Sequence, residues 1–162
     1  MTRLHFFAVV AAFALAGCAA SGGIVPEPPK ERYRLPSWPR QSVSLEVVDA
    51  RNRKDDSDRL VQVTTAILSE ALASAGAPPG PPRQLHVEIM LHDVSLNGPL
   101  GIATTRFRAT LFEEGRVVRT WDARGEARRT NVLPSDVRTA AQEAYQRALA
   151  NLMTTLENAP PQ

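Results

Sequence analysis

Residues 103–127 read ATTRFRATLFEEGRVVRTWDARGEA, and both halves of that stretch alternate apolar with polar side chains about a short central turn. Ala103, Thr105, Phe107, Ala109 and Leu111 fall on one parity, with Thr104, Arg106, Arg108 and Thr110 on the other. This period of two predicts a strand with one buried face. The second half repeats the pattern, with Trp121, Ala123, Gly125 and Ala127 set against Asp122, Arg124, Glu126 and Arg128. Between them Glu113 to Arg116 closes a hairpin, because Gly115 can take positive φ without a Cβ clash. The stretch therefore predicts two antiparallel strands, apolar on one side and charged on the other.

The same period extends upstream. Leu85, Val87, Ile89 and Leu91 alternate with His86, Glu88, Met90 and His92, but Val94 and Leu96 fall on the opposite parity, so a bulge or strand end is expected near His92 and Asp93. Asn97, Gly98 and Pro99 mark the turn into the next strand. Earlier still, Val43, Leu45 and Val47 alternate with Ser44 and Glu46 in a strand that ends at Asp49.

Two stretches carry helical periodicity instead. After the polar loop Arg51 to Asp56, Ser57 or Asp58 can cap a helix whose apolar side holds Leu60, Val63, Ile67, Leu68, Ala71 and Ala75. Gly76 is expected to stop it in a left-handed conformation. The prolines of the segment from Pro78 to Pro82 permit no regular element. Pro134 and Ser135 open a second helix, with Asp136 where the dipole favours an anion. Its apolar stripe is Val137, Ala140, Ala141, Ala144, Tyr145, Ala148, Leu149, Leu152 and Leu156. The alanines would let this helix lie close to the strands.

The order β-α-β-β-β-α predicts an α+β two-layer sandwich, with two helices on one face of a four-stranded, mostly antiparallel sheet. The other face is left polar, and His86, Glu88, His92, Arg106, Arg108, Asp122, Arg124 and Glu126 are expected there.

The first 41 residues have a different character. Arg3 precedes an apolar run from Leu4 to Ala16 that is interrupted only by His5 and is shorter than the ~20 residues a spanning helix needs. It ends in Leu15, Ala16, Gly17 and Cys18, and Cys18 is the one cysteine of the chain. These four residues resemble the lipobox of bacterial lipoproteins, which implies cleavage before Cys18 and attachment of lipid to its sulfur. Ala19 follows, where Asp in such lipoproteins favours retention at the inner membrane, so the resemblance implies the periplasmic face of the outer membrane.

The expected divisions are a signal peptide over 1–17, a lipidated Pro-rich tether over 18–41, one domain over 42–158 and a frayed tail over 159–162. Fully extended, a tether of that length reaches roughly 70 Å. Tyr33, Leu35 and Trp38 are unusual in a spacer and are expected to fold back onto the domain, since an exposed Trp is costly. With its single thiol given to lipid, the mature chain forms no disulfide.

A second resemblance is narrower. Val47, Val48, Asp49, Ala50 and Arg51, placed after a lipobox and tether and before a helix, resemble the start of the mature domain in YajG-type envelope lipoproteins. The order of elements is also similar to the LptE group and to auxiliary lipoproteins of lipid-transport ABC systems. These families imply a non-enzymatic accessory of envelope assembly or transport.

Other chemistries are poorly supported by the residues. From Ser42 onward there are 14 basic and 15 acidic side chains, so the domain lacks the one-signed field that collects nucleic acid. His86 and His92 lie about 20 Å apart along a strand at ~3.3 Å per residue, too far to share a metal. Asp49, Asp55, Asp56 and Asp58 lack the alternating acids and central Gly of a calcium loop. No Gly-x-Ser-x-Gly elbow is present, so no enzyme and no cofactor beyond the covalent lipid are expected. Arg106, Arg108 and Arg124 are candidates for binding a partner's anionic groups, and their alternative is cross-strand pairing with Glu88, Asp122 and Glu126. The expected function is a membrane-anchored adaptor that binds another envelope protein. The alternative is a periplasmic lipid or glycolipid carrier, which would need an enclosed apolar pocket.

Overall fold

The computed structural model describes residues 25–30, 32–40, 42–52, 57–97, 100–130 and 133–161. The elements are β1 (Val43–Asp49), α1 (Ser57–Ala73), β2 (Arg83–Asn97), β3 (Leu100–Glu113), β4 (Arg116–Thr130) and α2 (Pro134–Asn158). They form the expected α+β sandwich, with one sheet in the order β1-β2-β3-β4. β1 pairs with β2 in parallel, which the crossover through α1 makes feasible, and the remaining pairs are antiparallel. Glu114 (φ 52°) and Gly115 (φ 75°) both take left-handed conformations, so a two-residue turn with the right-handed strand twist joins β3 to β4.

Both helices cover one face. Leu60, Leu68 and Ala71 of α1 and Tyr145, Ala148, Leu149, Leu152 and Leu156 of α2 are fully buried against Leu85, Val87, Ile89, Phe107, Ala109 and Leu111 of the sheet. α2 lies on β4 at backbone distance. A Cβ added to Gly125 would fall onto the Ala144 carbonyl oxygen and the Ala148 amide nitrogen, inside any allowed contact. Ala103, Ala127, Ala140 and Ala144 form a second cluster of small side chains beside it. The alanine stripe thus has the consequence expected of it: without side-chain bulk on either partner, the helix settles onto the strand.

Two details depart from the sequence reading. The slip in β2 falls at Met90, between Ile89 and Leu91, rather than at His92 and Asp93. Everything after it therefore changes face: Leu91 emerges on the open side at 37% exposure, and His92 turns inward under α2 instead of joining the open face. Gly76 is not left-handed. α1 instead ends through tightened turns, Ser74 N–H to Ala71 O (3.1 Å) and Ala75 N–H to Leu72 O (3.0 Å), and the Gly76 amide donates to Pro36 O (3.1 Å).

That last bond belongs to a strap. Leu35 and Trp38 are fully buried in the main core, with the Trp38 indole N–H donating to Leu156 O (2.9 Å) and its ring 6.1 Å from that of Trp121. The Leu35 amide donates to Ser74 Oγ (2.8 Å), Arg32 meets Glu70 at 3.4 Å and Ser37 bonds Glu157. Further upstream, the Glu27 amide donates to Gln142 Oε1 (2.7 Å) and Gln142 Nε2 returns a bond to Glu27 O (2.8 Å). Burying ~200 Å² of one tryptophan contributes on the order of 5 kcal/mol before ordering costs. Pro36 and Pro39, which suggest a tether by composition, lower that cost because their backbones have fewer states to lose. The packed body therefore begins upstream of residue 42, the expected start of the domain.

Candidate functional site

On the open face, the register sets side chains in rows across the sheet: Glu46, His86, Thr110 and Thr120; then Val48, Glu88, Arg108 and Asp122; then Leu91, Arg106 and Arg124. Strand alternation alone puts these residues on one surface, and the surface is largely self-neutralised. His86 Nδ1 lies 3.0 Å from Glu46 Oε2, and Arg108 Nε donates to Asp122 Oδ1 at 3.2 Å. Glu126 accepts from Arg128 Nε (2.7 Å) and from Arg124 Nη2 (2.9 Å). The hydrogen bond from Arg128, helped by the Arg124 charge, holds the Glu126 carboxyl below the usual carboxylate range.

The third row differs. Arg106 stands directly opposite Arg124, an arrangement that like charges disfavour, and among the described residues it has no ion pair. Its neighbour on the other side is the exposed Leu91. A cation without an anion, next to an apolar side chain, is a part of this face with capacity left for a ligand, and Glu88 in the neighbouring row likewise has no ion pair among the described residues. Of the three expected arginines, Arg108 and Arg124 are thus engaged within the sheet and Arg106 is not.

A second polar group lies under the helices. The inward-turned His92 places Nδ1 2.9 Å from Thr105 Oγ1 and its ring edge-on to Tyr145, 6.0 Å between centroids. The Tyr145 hydroxyl is 2.9 Å from Thr64 Oγ1, which donates to Leu60 O at 2.8 Å. Burial, opposed in part by the Thr64 hydrogen bond, pushes the Tyr145 hydroxyl up to about 12. Asp49 and Arg51 form a bidentate pair (2.9 and 2.8 Å) with side chains 2% and 8% exposed, and Asp49 also accepts the Arg51 amide at 3.0 Å. Asp49 and Arg51 thus answer each other where β1 ends, and Tyr145 and Thr64 do so between the helices. The bulge at Met90 left a signal in the sequence parity, whereas nothing in the apolar pattern of α1 marked Thr64.

The remaining expected residues separate clearly. Trp121 is in the core, as expected, with Arg119 5.8 Å over its ring. His86 engages Glu46, and the bulge puts His92 on the opposite side of the sheet. Asp49 is taken by Arg51, while Asp55 and Asp56 lie outside the described residues. So do Leu15, Ala16, Gly17, Cys18 and Ala19. Among the described residues no group of His, Cys, Asp and Glu is placed to hold a metal, and no helix is long and apolar enough to cross a membrane. An open groove of about 460 Å³ lies beside the start of β1, lined by Pro39, Arg40, Val43, Leu72 and Ala73.

Set against known proteins, the likeness lies in the architecture. The chain is similar to a Xanthomonas campestris protein described by the DUF330 family model, with TM-score 0.53 and 14% identity over 84% of this chain and 99% of that one. It is also similar to a neuraminyllactose-binding hemagglutinin homolog from Helicobacter pylori, with TM-score 0.50 and 11% identity over 80% and 89% of the two chains. At these identities the likeness is one of fold alone. No protein-family model matches the sequence, and no curated protein matches it significantly.

Proposed function

We propose that the chain is a lipid-anchored envelope protein of the YajG type, held at the periplasmic face of the outer membrane through Cys18, which acts without catalysis by binding another envelope protein. The anchor rests on the leader, Leu15 to Cys18 followed by Ala19. The binding role rests on one observation: Arg106, facing Arg124 and flanked by exposed Leu91, is a cation whose charge the sheet leaves unanswered. A carboxylate or phosphate of the partner laid across that row would relieve the repulsion and gain a charge-assisted hydrogen bond. The space between α2 and β4 is closed by the Gly125 contact, which weighs against a carrier that encloses lipid there.

The test is recovery of the cross-linked protein from membranes. One defined partner is expected with the native chain and is lost with Arg106→Glu, while Glu88→Gln on the same face retains it. Stoichiometric lipid with no protein would favour the carrier. For the anchor, the native chain should stay in membranes through a carbonate wash and Cys18→Ser should be released; a Cys18→Ser chain that stays would overturn it.

A further inference from the structure

The strap gives the body a direction. α1 returns from the end of β1 to the start of β2, and α2 runs back along β4, as its contacts show: Arg129 with Glu143, Arg147 with Glu126 O, Asn151 with Arg124 O and Arg119 with Ala159 O. β4 is antiparallel to β3 and β3 to β2, so both helices begin at the same end of the sandwich, the end that carries Asn97, Leu100 and Thr130. Traced back toward the amino terminus, the strap passes from Trp38 at Leu156 to Glu27 at Gln142. It therefore leaves the body toward the end where the helices start.

That end is apolar at its rim. Leu96 and Leu133 are each 63% exposed, and Leu96 lies in the same row of the sheet as Gly101 and Arg129. Leu96 has helix-side parity but lies beyond Val94, which packs against the cluster of Ala103, Ala127, Ala140 and Ala144, and at 63% exposure it is left uncovered. Leu133 precedes the first turn of α2, where its amide is capped by Asp136 Oδ2 at 2.8 Å and its side chain is left in water. The described charges associated with this end, Arg128, Arg129 and Arg138 against Asp93, Glu126, Asp136 and Glu143, differ by one and set up no strong field against a lipid surface.

Chain length then chooses between the two ends. Only seven residue steps separate Cys18 from Val25, at most about 25 Å. Gln142 is about 12 Å along α2 from Pro134 and about 25 Å from Ala159 at 1.5 Å per residue. A membrane at the near end is within reach of the anchor, whereas one beyond the Val117 row, about 40 Å along β4 from the Arg129 row, is not. We propose that the end bearing Leu96 and Leu133 rests on the bilayer, with both side chains in the headgroup region, and that the hairpin at Glu114 and Gly115 points away from it. The inference rests on the lipid anchor proposed above and adds an orientation to it.

The test uses the full acylated protein, purified from its membranes and returned to phospholipid vesicles with plain or brominated acyl chains. Trp38 and Trp121 are buried and give a constant background. Emission added by Leu96→Trp or Leu133→Trp should shift to the blue on reconstitution and be lost in brominated vesicles, whereas that added by Val117→Trp should change in neither. Intact mass separates the two readings. An unacylated Cys18 overturns both anchor and orientation, while an acylated chain whose Leu96→Trp and Leu133→Trp emission is unquenched, wet or sealed by a second copy, overturns the orientation alone. Quenching of Val117→Trp in place of Leu96→Trp also overturns it, by reversing the ends.

Discussion

The two faces of the sheet are built from the same strands, residue by residue, and behave in opposite ways. On the covered face of β4, Trp121, Ala123, Gly125 and Ala127 are buried to within a few percent; one position away, Asp122, Arg124 and Arg128 are exposed and Glu126 is half-buried. The first set has no freedom, because backbone meets backbone at Gly125, and the second set has much of it, because its ion pairs lie in water. Tight fit therefore resides on one side and adaptability on the other, which suits a rigid scaffold that presents a recognition surface.

The largest expected effect breaks the covered face. Gly125→Ala places a methyl group against the α2 backbone and should cost about 3 kcal/mol or more in urea unfolding, whereas Arg124→Ala, its neighbour on the open face, should cost no more than ~0.5 kcal/mol. Equal costs would mean that the helix can lift from the strand.

A middle-sized effect tests the buried hydroxyl. Tyr145 ionises near 12 in the folded chain against 10.0 for the free group, so native protein holds its proton after the unfolded chain has lost it. Its contribution is complete below pH 10 and declines as pH rises from 10 to 12, by on the order of 2–3 kcal/mol. Tyr145→Phe, monitored by unfolding across that range, should lack this alkaline decline while losing about 1 kcal/mol at neutral pH for the hydrogen bond.

The smallest effect sharpens the open face. A double-mutant cycle on Arg108 and Asp122, both substantially exposed, should return no more than about 0.5 kcal/mol, and should fall further as salt is added.

The sequence made the element order and most of the facing legible because alternation in β3 and β4 is unbroken over the covered positions. Legibility ended where a single residue resets the parity. One extra residue at Met90 exchanged the sides of Leu91 and His92, and the parity of Val94 and Leu96 could report a slip without locating it. A second slip, between Leu111 and Phe112, leaves Val117 and Val118 exposed at the start of β4, where apolar identity alone would suggest burial. At the candidate site, Arg106, Arg108 and Arg124 could be assigned to one face from alternation; which of them remained unanswered depended on register, a relation between strands that periodicity within one strand does not carry. The strap shows the opposite limit. Proline content suggested a free spacer, while Leu35 and Trp38 held the information that decided its place.

The strap also determines how the protein bears mechanical load. Because it lies lengthwise along both helices and leaves from their starting end, a pull on the chain upstream of Val25 directed away from that end runs parallel to the strap. The hydrogen bonds at Gln142, Ser74 and Leu156 and the buried Trp38 are then strained together in shear, instead of being peeled off one after another. Detaching the strap from its upstream end therefore means extracting a core residue, Trp38.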